Sequence, residues 1–256
     1  MSNKSAHNGR GAIVAVVRGT RSEDVIRVLE RIPRRKRRRV KEVTTDMANS
    51  MQKIARACFP KVQMVVDRFH VQKLALEAVQ EERISLRWKE IDEDNRLRKE
   101  AKARGERHEP DVLENGDTRR ELLVRSRYLL YKSPETWSDG QRERAHILFR
   151  EYPSVKEAYT LANTLRQIFN RRSTKDSARL NLARWYNDVE QSGLDSFRTI
   201  MDTIQAHYDE ILNYYNHRST NASAEQLNSK IKAFRKSLRG VQDIKFFFFR
   251  LTKIYA

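Results

Sequence analysis

Val40-Lys41-Glu42-Val43-Thr44-Thr45-Asp46, followed after one helical stretch by Val62-Gln63-Met64-Val65-Val66-Asp67-Arg68-Phe69-His70, is the passage that decides the fold. Both runs are short and rich in β-branched residues, and both end at an acid. Between them Met51, Ile54, Ala55 and Cys58 recur at helical spacing from Ala48 onward, and Pro60 ends the pattern. A strand, a helix and a second strand of these lengths predict a parallel βαβ unit. In such sheets the crevice lies beyond the carboxyl ends of the strands, so Asp46 and Asp67 should share one edge. Either acid alone could be a helix cap, and Asp46 is well placed to cap the helix from Ala48.

Working toward the N-terminus, Ala12-Ile13-Val14-Ala15-Val16-Val17 reads as a further buried strand, closed by Gly19-Thr20. Ser22 can cap the next helix, with Glu23 and Asp24 in its first turn and Val25, Val28, Leu29 and Ile32 on its buried side. Pro33 stops it. Arg34-Arg35-Lys36-Arg37-Arg38-Arg39 then reads as a solvated connection that could also contact phosphates.

Toward the C-terminus the character changes to long helices. Val71, Leu74, Ala75, Ala78 and Val79 begin the first, and Gly105 and Pro110 mark a loop. Phe197, Ile200, Met201, Ile204, Tyr208, Ile211, Leu212 and Tyr215 form one near-heptad apolar stripe, which reads as core. Trp88, Trp137 and Trp185 could stack on bases, but core packing is the simpler reading of each. In the last helical stretch Ala224, Leu227, Ile231, Phe234 and Leu238 share one face, Glu225, Asn228, Ser229, Lys232, Lys236 and Arg239 lie opposite, and Gly240 supplies a stop. On its own Glu225 reads as a first-turn acid complementing the helix dipole, or as a metal-ligating carboxylate on a basic surface.

Composition narrows the function classes. Fifty-two Lys and Arg against 34 Asp and Glu give a net charge of +18, which points to a polyanion such as nucleic acid. A single Cys58 excludes an internal disulfide framework and a cysteine-based zinc site, and suits a reducing cytoplasm. No apolar run approaches the ~18 residues of a membrane span. Scarce Gly and Pro favour helices over a turn-rich β fold.

Val43-Thr44-Thr45-Asp46-Met47-Ala48, Cys58-Phe59-Pro60, Val66-Asp67-Arg68-Phe69-His70-Val71 and Ala224-Glu225 through Asn228, Ile231-Lys232 and Arg239-Gly240 together resemble bacterial insertion-sequence transposases of the ISL3 type. The ordered set is specific where no single motif is. That resemblance implies the DDE superfamily with an RNase H-like catalytic domain: α/β, interrupted by a large all-α insertion and mostly helical overall. It implies a partial α/β core over 1–70, a helical insertion over 71–217 and core-completing helices over 218–256. Asp46 and Glu225 match the second and last catalytic, metal-holding acids. Asp67 and His70 match an Asp-x-x-His signature that supports the site, with Asn228 beside it. Mg²⁺ is the implied cofactor, with Mn²⁺ as an alternative, and hard cations of this kind take oxygen ligands. The implied partner is DNA, both transposon ends and target, contacted by Arg34, Arg35, Lys36, Arg37, Arg38, Arg39, Lys232, Arg235, Lys236 and Arg239. A homo-oligomer is implied for the full-length protein, with no membrane association.

One departure qualifies the match. The family's first catalytic Asp ends a strand that should precede Gly11, and nothing before Asp46 replaces it: Asp24 lies early in a helix, and Glu23, Glu30 and Glu42 do not end strands. The chain is therefore expected to be a C-terminal portion of a transposase, poorly stable in isolation and inactive alone, or a DNA-binding repressor derived from one. Incubated alone with terminal-repeat DNA and Mg²⁺, it should give no strand transfer. Robust metal-dependent cleavage in that assay would overturn the expectation.

Overall fold

The computed structural model describes residues 1–6, 11–17 and 19–255. In chain order the elements are α1 (Ser22–Glu30), α2 (Arg34–Arg37), β1 (Glu42–Thr45), α3 (Asn49–Cys58), β2 (Gln63–Val66) and α4 (Arg68–Ala103). Beyond α4 come α5 (Arg119–Arg125), α6 (Asp139–Glu151), α7 (Pro153–Asn170), α8 (Lys175–Ser192), α9 (Asp195–Ala206), α10 (Tyr208–Leu212), α11 (Tyr214–His217), α12 (Ala222–Ser237) and α13 (Ile244–Tyr255). Helices dominate. The chain divides into two compact units, one formed by residues 1–70 with 207–256 and the other by 71–206.

In the first unit β1 and β2 pair in parallel, Glu42 opposite Gln63 through Thr45 opposite Val66. The helix between them, α3, packs on α1. Leu29, Ile54, Cys58 and Phe59 are buried together, with Val25, Ile32, Val43, Met51 and Val62 around them. The periodicity that predicts both helices is thus the periodicity of one shared layer. The first four residues of the basic run, Arg34–Arg37, form a short helix, α2, within what the sequence reads as a solvated connection. Arg37 explains why it folds: Nε donates to Ile32 O at 3.0 Å and Nη1 to Cys58 O at 2.8 Å. One guanidinium therefore satisfies carbonyls just beyond α1 and at the end of α3, groups that helix termini leave without intrahelical partners.

The expected strand Ala12–Val17 is a difference. Among the described residues it forms only one isolated antiparallel bridge, Ser2 to Ile13, and no ladder. Asn3 N donates to Ala12 O, Val14 N donates to Met1 O, and the terminal ammonium donates to Ala15 O. Backbone groups of Ala12, Val14 and Ala15 are thus met by Met1 and Asn3, and Val14 is exposed. An apolar β-branched run signals burial and extension, but a ladder also needs a neighbouring strand.

The single stripe expected over Phe197–Tyr215 is also divided. His207 is non-helical (φ −117°, ψ 24°), so α9 ends before it and α10 starts after it. The residues after this break belong to the first unit. Gln52 Nε2 lies 2.9 Å from His207 Nδ1, Arg56 pairs with Glu210 at 3.2 Å, and Asn213 Nδ2 donates to Met64 O at 2.9 Å. The first unit therefore begins at 207 on its C-terminal side, and α10 and α11 are part of it. Tyr214 is buried there with the guanidinium groups of Arg68 and Arg218 over its ring. Farther on, Phe234 of α12 stacks on Phe247 of α13, 5.7 Å between centroids.

The second unit is built of helices, with one isolated antiparallel bridge, Val112 to Thr118, between α4 and α5. It includes most of α4, whose 36 residues contain no Gly or Pro to break it. Trp137 and Trp185 are buried and donate Nε1–H to Leu129 O and Leu161 O, whereas Trp88 is exposed. Asp117 is fully buried, paired with Arg125 and with Arg144 at 3.3 Å and bonded by Asn115 at 3.0 Å, so its charge is compensated.

The α1–α3 layer can be probed through Cys58. Burial pushes its thiol pKa up, against the opposing charge of Arg37, and it is wholly inaccessible. Alkylation of the native protein should therefore be slow and limited by opening of this layer. Arg37→Met should speed that reaction and lower unfolding stability by about 1–3 kcal/mol, while Arg34→Met and Arg35→Met leave both unchanged. Cys58 labelling at the rate of a free thiol in the native state would contradict this packing.

Candidate metal centre

Asp67 follows β2 directly and starts α4. Its Oδ1 accepts from Phe69 N at 3.0 Å, a helix-capping bond, and His70 N donates to the Asp67 carbonyl at 3.1 Å. Its own N–H donates to Thr45 O at 2.9 Å, continuing the strand pairing. The second oxygen, Oδ2, accepts from Asn221 N at 2.7 Å. Asn221 is the residue before α12, so one carboxylate holds the N-terminal ends of two helices separated by the whole helical block in sequence. The partial positive charge at both termini favours an anion there. That explains how a fully buried carboxylate is accommodated with backbone amides as hydrogen-bond donors.

His70 lies in the first turn of α4 and Glu225 in the first turn of α12, on the two helices that Asp67 joins. The ligand atoms of Asp67, His70 and Glu225 all lie within 4.8 Å of one another. Burial is graded: Asp67 is buried, His70 half-buried and Glu225 exposed, so the cluster opens to solvent on the Glu225 side. Among the described residues this is the one group of three or more His, Cys, Asp or Glu whose geometry could hold a metal ion.

Asp46 is outside that group. It leaves β1 at the sheet edge where Asp67 leaves β2, since Thr45 pairs with Val66. Its Oδ1 accepts from Ala48 N at 3.2 Å, a turn that leads into α3. Asn228 is exposed one turn beyond Glu225. Lys232, Arg235 and Lys236 are exposed on α12, and Arg239 lies past its end at φ 51°, followed by Gly240 at φ 113°. Of the basic run, Arg34, Arg35, Lys36, Arg38 and Arg39 are exposed, whereas Arg37 is half-buried and holds the two carbonyls described above. Sequence reasoning missed Lys4. Its ammonium donates to Thr44 Oγ1 at 3.0 Å and sits 3.7 Å from Glu42. Burial pushes its pKa down, opposed by the negative charges of Glu42 and then Asp67. A lysine in an unpatterned N-terminal stretch carries no signal of such a position.

With this geometry in place, comparison with known proteins decides the family. A family model described as a transposase, of the DDE group and ISL3 type, matches residues 2–251. The chain belongs to this transposase family. A curated relative, the transposase of insertion sequence element IS1001 from Bordetella parapertussis, is 25% identical over 238 residues. That alignment covers 92% of this chain and 52% of the relative, so the chain spans about half the length of the transposase it matches. No solved structure matches it. This family generally uses a divalent metal, and two carboxylates with an imidazole form a group that could hold a divalent transition-metal ion.

The double role of Asp67 is open to measurement. Asp67→Asn keeps the shape but cannot accept from both amides, so it should cost about 1–3 kcal/mol. Amide hydrogen exchange at Phe69 and Asn221 should accelerate with it. Asp46→Asn, which disturbs one turn bond, should cost about 1 kcal/mol or less. Unchanged exchange at Asn221 in Asp67→Asn would show that the α12 connection does not depend on this carboxylate.

Proposed function

We propose that the chain carries part of the catalytic core of a transposase that cuts and joins DNA phosphodiester bonds, using Mg²⁺ or, as an alternative, Mn²⁺. The observation that carries this reading is the Asp67–Asn221 bond, which brings the first turn of the Glu225 helix to the sheet edge from which Asp46 also projects. In this reading the βαβ piece and α10–α13 belong to an RNase H-like core, and residues 71–206 are its helical insertion. Asp46 and Glu225 act as the catalytic carboxylates, with Asp67 positioning the Glu225 helix. His70 and Asn228 flank them and orient a phosphate or a carboxylate.

A bound divalent ion would supply charge stabilisation and an activated oxygen nucleophile at the scissile phosphodiester. The chain's own residues do the remainder. Exposed Arg34, Arg35, Lys36, Arg38 and Arg39, with Lys232, Arg235, Lys236 and Arg239, contact the DNA backbone and hold it in register. Arg37 is removed from that set by its two carbonyl bonds. The net charge of +18 matches a polyanionic substrate, and no helix among the described residues is long and apolar enough to cross a membrane. A cytoplasmic location and homo-oligomeric action of the full-length protein complete the proposal.

The test uses the full-length transposase that contains this region. Asp46→Ala and Glu225→Ala should each reduce metal-dependent strand cleavage to background while DNA affinity is retained. In the chain itself, replacing each exposed arginine of α2 and its flank that touches a phosphate should lower the slope of log affinity against log salt by about 1. Arg37→Met should act on stability instead. If both acid variants retain cleavage, the catalytic reading fails. DNA binding without any acid-dependent cleavage would leave a DNA-binding repressor as the function.

A further inference from the structure

We propose that Asp67, His70 and Glu225 bind a single divalent transition-metal ion, Mn²⁺ or Zn²⁺ in preference to Mg²⁺, through two carboxylates and one imidazole. The assignment goes beyond the cleavage reaction, since it requires occupancy and not turnover.

Three observations support it. The first is convergence, with all the ligand atoms inside 4.8 Å of one another, a spread that small side-chain adjustments can close around one ion. The second is orientation. Both Asp67 oxygens are pinned by backbone amides, Phe69 at 3.0 Å and Asn221 at 2.7 Å. Each oxygen has a further lone pair, so the carboxylate can still ligate, with its direction set in advance. The same two amides anchor the helix turns that carry His70 and Glu225, so one set of bonds positions all three ligands.

The third is donor chemistry. Mg²⁺ demands oxygen ligands in near-ideal octahedral geometry, whereas an imidazole nitrogen beside carboxylates suits Mn²⁺ and Zn²⁺. Two carboxylates and a neutral imidazole also balance the charge of one divalent ion, which offsets the negative charge of a fully buried Asp67. Three protein ligands leave coordination positions unfilled, and the exposure of Glu225 puts them on the solvent side. The ligand class for those positions is an oxygen anion or water, of which a phosphate oxygen is the one the basic surroundings favour. A purely structural reading, in which Asp67 only caps two helices, accounts for the approach of the two helix turns but not for the His70 and Glu225 ligand atoms lying within 4.8 Å of the carboxylate and of one another.

The test is metal binding by the chelator-stripped chain, titrated separately with manganese, zinc and magnesium chloride. Mn²⁺ and Zn²⁺ should bind with one-to-one stoichiometry and more tightly than Mg²⁺, and pulsed electron paramagnetic resonance of the Mn²⁺ form should show coupling to an imidazole nitrogen. His70→Ala should abolish that coupling. His70→Ala and Glu225→Gln, both at accessible positions, should each weaken Mn²⁺ binding by about tenfold or more; their melting curves would show that they still fold. Mn²⁺ affinity unchanged in the double variant would reduce the trio to a helix-end cluster and overturn the proposal. Affinity lost in Asp46→Asn but not in His70→Ala would put the ion at the other strand end, overturning this assignment while leaving the cleavage reading intact. A nitrogen-coupled ion combined with acid-independent cleavage would do the reverse.

Discussion

Everything at the candidate centre depends on one buried carboxylate accepting hydrogen bonds from the start of two helices. Asp67 caps α4 through Phe69 N and holds the entry to α12 through Asn221 N. A neutral side chain could satisfy one of these donors. An ionised carboxylate satisfies both, and the two helix termini in turn stabilise its charge away from water. Position and electrostatics therefore come from the same atoms.

A similar economy operates in the layer behind the sheet. Arg37 ends the connection after α1 and the last turn of α3 with one side chain, while its neighbours in the same run face solvent. Six consecutive basic residues thus have two different physical roles. The distinction lies in burial: a guanidinium bonded to two carbonyls is held in one geometry, whereas an exposed one keeps its conformational freedom.

The parts of the fold legible in the sequence are those set by local periodicity. Short β-branched runs that end at an acid mark β1 and β2, and the spacing of Met51, Ile54, Ala55 and Cys58 marks α3. Gly240 marks the region where α12 stops, with Arg239 and Gly240 both at positive φ. Local pattern does not carry partner choice. The Ala12–Val17 run is apolar and β-branched, yet its backbone bonds go to the N-terminal residues. The stripe through Tyr215 continues in register past His207, but the backbone breaks there, because hydrophobic spacing reports which residues are buried and not in which core. At the centre, Asp67, His70 and Glu225 are each visible as candidates. The pairing of Asp67 with the Asn221 amide is not, since backbone donors have no signature in side-chain sequence. Asp46 looks equivalent to Asp67 from its place at a strand end alone, and the three-dimensional arrangement groups Asp67, not Asp46, with His70 and Glu225.

The Asp67–Asn221 bond also has a topological consequence. It closes a loop of 154 residues in sequence separation. The entropy of closing such a loop grows only with the logarithm of its length, so doubling or halving the intervening helical block alters that term by about 0.6 kcal/mol. A hydrogen bond to a charged acceptor contributes about 1.5–3 kcal/mol, which exceeds that change. The block can therefore be lengthened, trimmed or replaced with little entropic effect on the clasp between Asp67 and Asn221. The size of the insertion is a nearly neutral variable, and the few residues on either side of it are where the chain is held to a fixed geometry.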